Sequence, residues 1–175
     1  MIEVRWHGRA GQGAKTASQL FAMAELSSGR FVQAFPEYGP ERRGAPLRAF
    51  TRVADRPIRR HDTITDPDLV VVLEPSLVHE AGIADGLRQE GFVLFNGEEA
   101  PPELDGVDVR CVPAARLAET QGSGFVNMVM LGAVAAALGE PELGNLQDAA
   151  VETLGNKVPE ADVRSTVAEG YAWLS

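Results

Sequence analysis

The sequence predicts a single α/β domain over residues 1–175, built on a mostly parallel β-sheet that is covered by helices on both faces. Short apolar stretches alternate along the chain with longer amphipathic ones, as in proteins whose parallel strands are joined by helices. Residues 69–73 form a continuous apolar run, which is typical of a central strand buried on both faces. A glycine-rich stretch at residues 8–13 separates the first strand pattern from the first helix pattern.

The predicted elements follow one another from the N-terminus. In the first half, alternation and apolar runs predict strands at residues 4–7, 31–35, 46–53 and 69–73. A helix is predicted at residues 14–28, and Gly29 supplies its C-terminal stop. The apolar side of this helix is predicted to comprise Ala17, Leu20, Phe21, Ala24 and Leu26.

In the second half, Ser76 is a suitable N-cap and Gly91 a suitable stop for a helix at residues 76–89. Further strands are predicted at residues 92–95 and 107–112, and further helices at residues 125–138, 145–154 and 160–173. The sequence has no internal repeat and no linker long enough to separate two domains. One doubly covered sheet is therefore the expected architecture.

Composition places the chain among soluble globular proteins, with 45% hydrophobic and 23% charged residues. The N-terminus has no signal-peptide pattern, and the most apolar segment, residues 125–138, is too short to span a bilayer. The single cysteine, Cys111, excludes an intrachain disulfide and a cysteine-ligated cluster or zinc site held by this chain alone. We therefore expect a cytoplasmic protein that has no contact with membranes and no metal site of its own.

Charge is distributed unevenly along the chain. Residues 1–60 contain eleven basic and five acidic side chains, a net charge of +6, whereas residues 61–175 contain five basic and twenty acidic ones, a net charge of −15. The basic third is suited to a phosphate-bearing ligand or an acidic protein surface, and the alternative is that the charges only solvate separate faces. Nucleic acid is not expected, because the acidic remainder repels it and no recognition motif is present.

The glycine-rich stretch, Gly8-Arg9-Ala10-Gly11-Gln12-Gly13, has the spacing G-x-x-G-x-G rather than the G-x-G-x-x-G of dinucleotide-binding folds. It also differs from a P-loop, because Lys15 comes one residue late and is turned by about 100° on the helix. Three interpretations stay open: a tight turn, a nucleotide-phosphate site, or a loop that contacts a cofactor or a partner chain.

A second unusual stretch covers residues 36–44, where two prolines and two glycines enclose several charged side chains. Arginine guanidinium groups such as those of Arg42 and Arg43 bind carboxylates or phosphates with two hydrogen bonds. Dense charge on a rigid path indicates a protein interface or the rim of an active site, and the alternative is a solvated loop.

Three further polar residues need an explanation. His7 ends the first strand beside the glycines, and we interpret it as structural rather than catalytic. Glu74 ends the central strand, where its carboxylate either reaches the same crevice or caps the next helix. Asn127 lies within an apolar helix, so it needs a buried partner or faces an interface.

Together these motifs make the chain similar to the gamma subunits of 2-oxoacid:ferredoxin oxidoreductases, most closely the pyruvate type. The resemblance covers most of the chain, and the run at residues 36–44 is its most specific part. One departure is Ala10, where the family pattern usually has glycine, and Ala45 stands where related branches carry a second glycine. The residues that carry the resemblance are Gly8 to Gly13, Thr16, Ala17, Phe35 to Pro46, Arg48, Arg52, Pro57, Ile58, Pro67, Asp68, Asn127, Leu131, Gly132 and Ala133.

The resemblance implies a subunit of an enzyme that oxidatively decarboxylates a 2-oxoacid, most simply pyruvate, to acyl-coenzyme A and CO₂. Such a complex uses thiamine diphosphate, Mg²⁺, iron–sulfur clusters and coenzyme A, and it passes electrons to ferredoxin. The implied partners are the thiamine diphosphate-binding alpha and beta subunits and the iron–sulfur delta subunit. This sequence has no thiamine diphosphate motif, so we expect it to hold none of these cofactors alone and to contribute no catalytic residue.

The resemblance also implies which residues form the site. Gly8, Gly11, Gln12, Gly13 and Thr16 are expected to contact a partner subunit or coenzyme A. The expected interface or rim of the coenzyme A site comprises Glu37, Tyr38, Arg42 and Arg43. Two alternatives stay open, namely a stand-alone α/β protein that binds a nucleotide or phosphate at residues 8–13, and a purely structural subunit.

Overall fold

The chain folds around one six-stranded β-sheet. The computed structural model describes residues 1–37, 45–79, 82–155 and 157–175. Within these residues the strands are β1 (Ile2–Arg9), β2 (Phe31–Glu37), β3 (Pro46–Ala54), β4 (Leu69–Val72), β5 (Phe92–Asn96) and β6 (Val109–Val112). They lie side by side in the order β2-β3-β1-β4-β5-β6, so the first strand of the chain occupies the interior of the sheet.

The sheet is mostly parallel, as predicted. β1, β4, β5 and β6 pair in parallel, with Trp6 opposite Val71 and Val71 opposite Leu94. β3 pairs antiparallel with both β1 and β2, so it alone among the described strands runs in the opposite direction. The carboxyl ends of the other five strands therefore meet at one edge of the sheet, where α/β proteins place their ligands.

Five α-helices are present in the described part of the chain: α1 (Ala14–Ser27), α2 (Ala114–Thr120), α3 (Val126–Leu138), α4 (Leu143–Leu154) and α5 (Glu160–Leu174). All five contribute to a single apolar cluster with the side chains on one face of the sheet, among them Val4, Trp6 and Leu94. We call this side the helical face. No described helix is long and apolar enough to cross a membrane.

The opposite side, which we call the second face, carries a smaller apolar cluster that includes Val70, Val72 and Phe95. Two short 3-10 helices, Pro75–His79 and Pro102–Leu104, pack against it. Both faces are thus covered, the first by α-helices and the second by 3-10 helices and loops.

The helix predicted at residues 76–89 is wrong, because a 3-10 helix (Pro75–His79) and turns take its place. Gly82 and Gly86 have φ values of 86° and 72°, which an α-helix cannot contain. The carbonyl groups of Ile83 and Asp85 accept hydrogen bonds from Arg5, so they are drawn away from helical pairing.

Helices α3 and α5 are in backbone contact at two glycines, one on each helix. A Cβ at Gly170 would lie 1.8 Å from the carbonyl oxygen of Val129, and one at Gly132 would lie 2.0 Å from that of Val167. The two backbones therefore approach as closely as glycine allows, which fixes how α5 packs on α3.

The remaining differences are small. α2 and the 3-10 helix at Pro102–Leu104 were not predicted, and the other elements differ from the predicted bounds by a few residues. Leu26 was placed on the apolar side of α1, yet 59% of its surface is exposed, because it lies about 200° around the helix from the buried Ala24.

Candidate functional site

A crevice with a cavity volume of about 820 Å³ opens at the carboxyl ends of the parallel strands. The glycine loop that follows β1 forms one wall, and the residues that follow β4 and β5 form the floor. The opposite wall comes from α2 and from the start of α3. The lining includes residues 11–13, Thr16, residues 73–75, residues 96–98, Pro113, Ala115, Arg116, residues 124–127 and Leu154.

The glycine loop presents the start of α1 to this crevice. Gly11 and Gly13 have φ values of 98° and 82°, in the left-handed region that glycine favours. Gly13 is the N-cap of α1, and neither a capping side chain nor an acidic residue in the first turn satisfies the first amides of the helix. These N–H groups and the positive end of the helix dipole suit a carbonyl or anionic ligand group. Ala10 has no strained backbone, and its N–H donates to the carbonyl of Ala45, so the departure from the family pattern is accommodated.

Asn127 also packs against Gly13. A Cβ at position 13 would lie 2.4 Å from Asn127 Nδ2. Asn127 stands on α3, so this contact joins two walls of the crevice. Only 9% of its surface is exposed, and that part lies within the crevice.

A hydrogen-bond network fastens the glycine loop to the end of β4. The amide oxygen of Gln12 accepts from the Arg9 backbone N–H at 2.7 Å, and its nitrogen donates to Glu74. Glu74 also accepts from the Ser76 hydroxyl at 2.7 Å, and the Arg9 guanidinium donates to that same hydroxyl at 3.1 Å. Partial burial alone raises the pKa of Glu74, but the hydrogen bonds from Gln12 and Ser76 and the charge of Arg9 bring it below its ordinary value. Glu74 is therefore ionised at neutral pH, and it fills both roles considered from the sequence.

The floor and far wall are held by two further polar groups. Asn96 at the end of β5 donates to the Leu73 carbonyl at 2.9 Å and accepts from the Ala114 N–H at 3.1 Å. Arg116 on α2 donates to both oxygens of Glu98, at 2.8 and 3.3 Å. These hydrogen bonds lower the pKa of the Glu98 carboxyl group, so the pair carries one charge of each sign.

His7 lies beside the crevice but serves the fold. It is buried on the second face, where Arg5 Nε donates to its Nε2 at 3.1 Å. Burial, followed by the charges of Arg5 and Arg48, lowers the pKa of His7 to about 3. The ring is therefore neutral and accepts a hydrogen bond at physiological pH, as expected for a structural histidine.

The structure brings four of the predicted site residues together. Gly11, Gln12, Gly13 and Thr16 line the crevice, whereas Gly8 allows β1 to pack closely on the start of α1. A Cβ at Gly8 would lie 3.1 Å from the Cβ of Ala14. Glu37 is not among the lining residues.

Glu37 ends β2 and forms an ion pair with Arg48 of β3. Tyr38, Arg42 and Arg43 lie outside the described residues, so their predicted role stays a prediction. The described residues on either side of this segment, Glu37 and Ala45, lie at the same edge of the sheet as the glycine loop.

Sequence reasoning missed Asn96, Glu98, Arg116 and Phe125, which form the floor and the far wall. For Asn96 a signal was available, because a polar residue at the end of a predicted parallel strand belongs at the ligand edge. Arg116 stands on α2, a helix that the sequence did not predict, so nothing indicated its place.

The arginines of the basic third are largely occupied within the chain. Arg5, Arg9, Arg30, Arg48, Arg52 and Arg60 each donate to carboxylate, carbonyl or hydroxyl oxygens of described residues. The uneven charge along the sequence is thus partly cancelled by folding. Among the described residues, no group of three or more histidine, cysteine or acidic side chains is arranged to hold a metal ion.

Comparisons with known proteins agree with this arrangement. The chain is 41% identical over 172 residues to the common gamma subunit of the pyruvate/ketoisovalerate oxidoreductases of Pyrococcus furiosus, covering 94% of this chain and 93% of that one. The crystal structure of the pyruvate oxidoreductase subunit PORC of Thermotoga maritima superposes with a TM-score of 0.84 at 35% identity, covering 98% of this chain and 95% of that one.

The same fold occurs in the 2-oxoglutarate:ferredoxin oxidoreductase of Magnetococcus marinus, solved with 2-oxoglutarate, coenzyme A and succinyl-CoA bound. That match has a TM-score of 0.83 at 20% identity and covers 99% of this chain but 31% of the larger one. Residues 3–172 match the family described as pyruvate ferredoxin/flavodoxin oxidoreductase. The chain belongs to the pyruvate ferredoxin/flavodoxin oxidoreductase family.

Proposed function

We propose that the chain is the gamma subunit of a 2-oxoacid:ferredoxin oxidoreductase, with pyruvate as the substrate, and that it forms one wall of the coenzyme A site. The whole of residues 1–175 acts as one unit of this type in the proposal. Its support is family membership over nearly the full chain together with gamma-subunit relatives of similar length.

The observation that carries the coenzyme A part of the proposal is the crevice beside the glycine loop. It combines uncapped helix amides, the Asn127 amide and apolar walls in a space of about 820 Å³. Coenzyme A offers carbonyl groups and an apolar chain that such a surface can hold. The residues present are therefore compatible with this ligand, and their role in the proposal is to bind and orient it.

The redox and carbon–carbon bond chemistry is assigned to other subunits in this proposal. A single cysteine cannot supply the four ligands that a protein-bound iron–sulfur cluster needs. The alpha and beta subunits would hold thiamine diphosphate and Mg²⁺, and the delta subunit would hold the clusters that reduce ferredoxin. The proposed location is the cytoplasm, supported by this low cysteine content.

The experiment that tests the proposal is co-expression of the tagged chain with the products of the genes that neighbour its own. We expect affinity purification to recover a brown complex that contains thiamine diphosphate and reduces a dye only when pyruvate and coenzyme A are both present. Other 2-oxoacids in the same assay then establish the substrate range. A colourless monomer that binds a nucleotide without any partner would overturn the proposal in favour of a stand-alone binding protein.

A purely structural subunit is distinguished by variants of the charged stretch. If Arg42 and Arg43 line the coenzyme A site, the R42A/R43A variant assembles but requires more coenzyme A for half-maximal rate. The matched control is Arg164→Ala, which removes an exposed arginine of α5 that is paired within the chain. Weaker assembly with an unchanged KM for coenzyme A would assign these two residues to the subunit interface alone.

A further inference from the structure

Strand β2 lies at one end of the sheet, and its outer side is unpaired. The strand pairs with β3, and no described residue forms a backbone hydrogen bond to its other side. Edge strands are usually protected from pairing with another chain by charged side chains, yet residues 31–36 contain none. Pro36, which cannot donate to a neighbouring strand, stands only near the end. Most of this edge is therefore open to a further strand.

A groove with a volume of about 390 Å³ runs beside this edge on the helical face. Val32 and Ala34 of β2 form one side of the groove, and the flank of α1 that carries Met23 and Leu26 forms the other. None of the lining residues is charged, and the remaining ones are Thr16, Gln19, Leu20, Ala22 and Thr153. Of the five large hydrophobic side chains that are exposed in the described ranges, three belong to α1 and β2, namely Met23, Leu26 and Phe31. A patch of this kind indicates a protein interface.

The charge of this patch favours a second copy of the chain as its occupant. Each chain has a net charge of −9, so two copies repel each other wherever acidic surfaces meet. The patch itself is uncharged, and the charged residues at the two ends of β2, Arg30 and Glu37, have opposite signs. Antiparallel pairing of two β2 strands centred on Ala34 places Phe31 of one copy opposite the partner's Glu37. Opposite charges then lie near each other at both ends of the contact.

The position of α1 fits the same arrangement. This helix packs on both β2 and β3, so its axis lies about half a strand spacing inside β2. A twofold axis perpendicular to the sheet keeps the two α1 helices on the same face. Two β2 strands about 4.8 Å apart then bring the two α1 axes to about 10 Å from each other, the usual distance between packed helices. The uncharged flanks of the two helices therefore close over the joined strands.

We infer that two copies of this chain associate through β2 and the flank of α1 that carries Met23 and Leu26. The two sheets join into one continuous sheet, with Ala34 of each copy at the twofold axis. This inference does not depend on the proposed function, because it rests on the surface of the chain itself. In the proposed complex, the same contact joins two assemblies through their gamma subunits.

The test measures the mass of the purified full chain by analytical ultracentrifugation between about 1 and 100 µM. We expect the wild type to form a dimer of two 18.7-kDa chains. Met23→Lys adds a charge to the exposed flank of α1, and Ala34→Lys adds one where the two strands meet. Each variant should raise the dissociation constant of the dimer about a hundredfold, because a charge enclosed between the two copies has no partner.

Ser165→Lys is the matched control, because it adds the same charge at an exposed position of α5, which does not line the groove. It should leave the dissociation constant unchanged. Urea denaturation of the three variants checks that each one folds. Met23 is exposed, so this variant keeps the test decisive if Ala34→Lys impairs folding.

Chemical cross-linking tests the register of the two strands. In a chain that carries Cys111→Ser, the further change Ala34→Cys should allow a short bismaleimide to link two copies, since directly opposite Cβ atoms lie about 5 Å apart. Ser165→Cys in the same background should give no linked dimer.

The inference is overturned if the wild type stays monomeric over the whole concentration range. A monomer whose Met23→Lys variant also fails to enter the co-purified oxidoreductase would assign this edge to another subunit instead. The inference is equally overturned if a dimer forms and neither lysine variant changes its dissociation constant. The proposed function is tested separately, by the pyruvate- and coenzyme A-dependent activity of the complex.

Discussion

The two faces of strand β1 are equally buried, yet they are held by different forces. Val4 and Trp6 point into the apolar cluster of the helical face, where Trp6 also packs against Phe21. Glu3 and Arg5 alternate with them and are buried on the second face, at 2% and 4% exposure. Glu3 accepts from Arg52 Nε at 2.7 Å and from Arg88 Nη2 at 2.6 Å.

This difference shows that strict alternation of apolar and charged residues does not mean that the charged side is in water. On the helical face, tight packing supplies stability, so a change in volume is the damaging change. On the second face each ion has been removed from water and depends on its partner, so the damaging change is the loss of one partner. Four predictions separate these two kinds of stabilisation.

The largest effect is expected on the helical face for Gly170→Ala. Its new methyl group would overlap the Val129 carbonyl at 1.8 Å, so α5 has to move away from α3. We expect a loss of about 3–5 kcal/mol in the free energy of unfolding, or failure to fold, measured by urea denaturation. Gly144→Ala on α4 is the control, because it enters open space and should stabilise the protein by up to about 1 kcal/mol. Equal effects of the two variants would contradict the close contact.

On the second face, Arg52→Met removes one partner of Glu3 and should cost about 3 kcal/mol of unfolding free energy. The double variant Glu3→Met, Arg52→Met should lose less unfolding free energy than Arg52→Met alone. It leaves no unpaired buried carboxylate, and Arg88 still forms its ion pair with Asp68. Arg164→Met, which breaks exposed ion pairs on α5, should cost less than about 1 kcal/mol. If the double variant loses as much as the sum of the losses measured for Arg52→Met and Glu3→Met singly, the pair is not coupled.

His7 makes the second face sensitive to acid. Because its pKa is lowered from 6.5 to about 3 in the folded state, the unfolded chain binds the proton first as the pH falls. The wild type should therefore lose stability below about pH 6.5, by roughly 2 kcal/mol at pH 5, relative to His7→Gln. Urea denaturation of both proteins at pH 7.5 and pH 5 measures the difference. Parallel pH dependence in the two proteins would show that His7 does not titrate differently on unfolding.

Glu25 on α1 should make the stability of the protein depend on pH in the opposite direction, and less strongly than His7 does. Burial on α1, followed by the charge of Glu140, raises its pKa from 4.5 to about 7, although Arg30 opposes this. The folded wild type therefore gains stability as the pH falls from above 7 towards 4.5, whereas Glu25→Gln does not. The quantity to compare is the unfolding free energy of Glu25→Gln minus that of the wild type. This difference should be larger at pH 8 than at pH 5 by on the order of 1–2 kcal/mol. Urea denaturation curves of both proteins at these two pH values measure this difference. The same difference at both pH values would contradict the raised pKa of Glu25.

The sequence predicted those parts of the fold that depend on local patterns. The run at residues 69–73 and the apolar helices stand where periodicity placed them, because burial on a regular element leaves a regular pattern. The predicted helix at residues 76–89 failed at Gly82 and Gly86, whose φ values are positive, and beside them two carbonyl groups are bound by Arg5, a residue about 80 positions earlier. The two glycines are visible in the sequence, whereas the contact with Arg5 is not.

The candidate site was predictable to a similar degree. The glycine loop was located from its spacing, and Asn127 was identified as a polar residue in need of a partner. Its position beside Gly13 depends on how α3 crosses the sheet, and the far wall with Arg116 depends on the order of the strands. Those are properties of the tertiary structure, which a single sequence does not display.

The central position of β1 has a consequence for how the protein is made. The first strand to leave the ribosome pairs with β3 and β4, and the charged and carbonyl partners of Glu3 and Arg5 come 49 to 85 residues later. The middle of the sheet can close only after β4 has been made, and Glu3 has all its partners only after Arg88, so both steps depend on contacts distant in sequence. Until then Glu3 and Arg5 keep one side of β1 charged, and charged side chains on an unpaired strand oppose edge-to-edge aggregation.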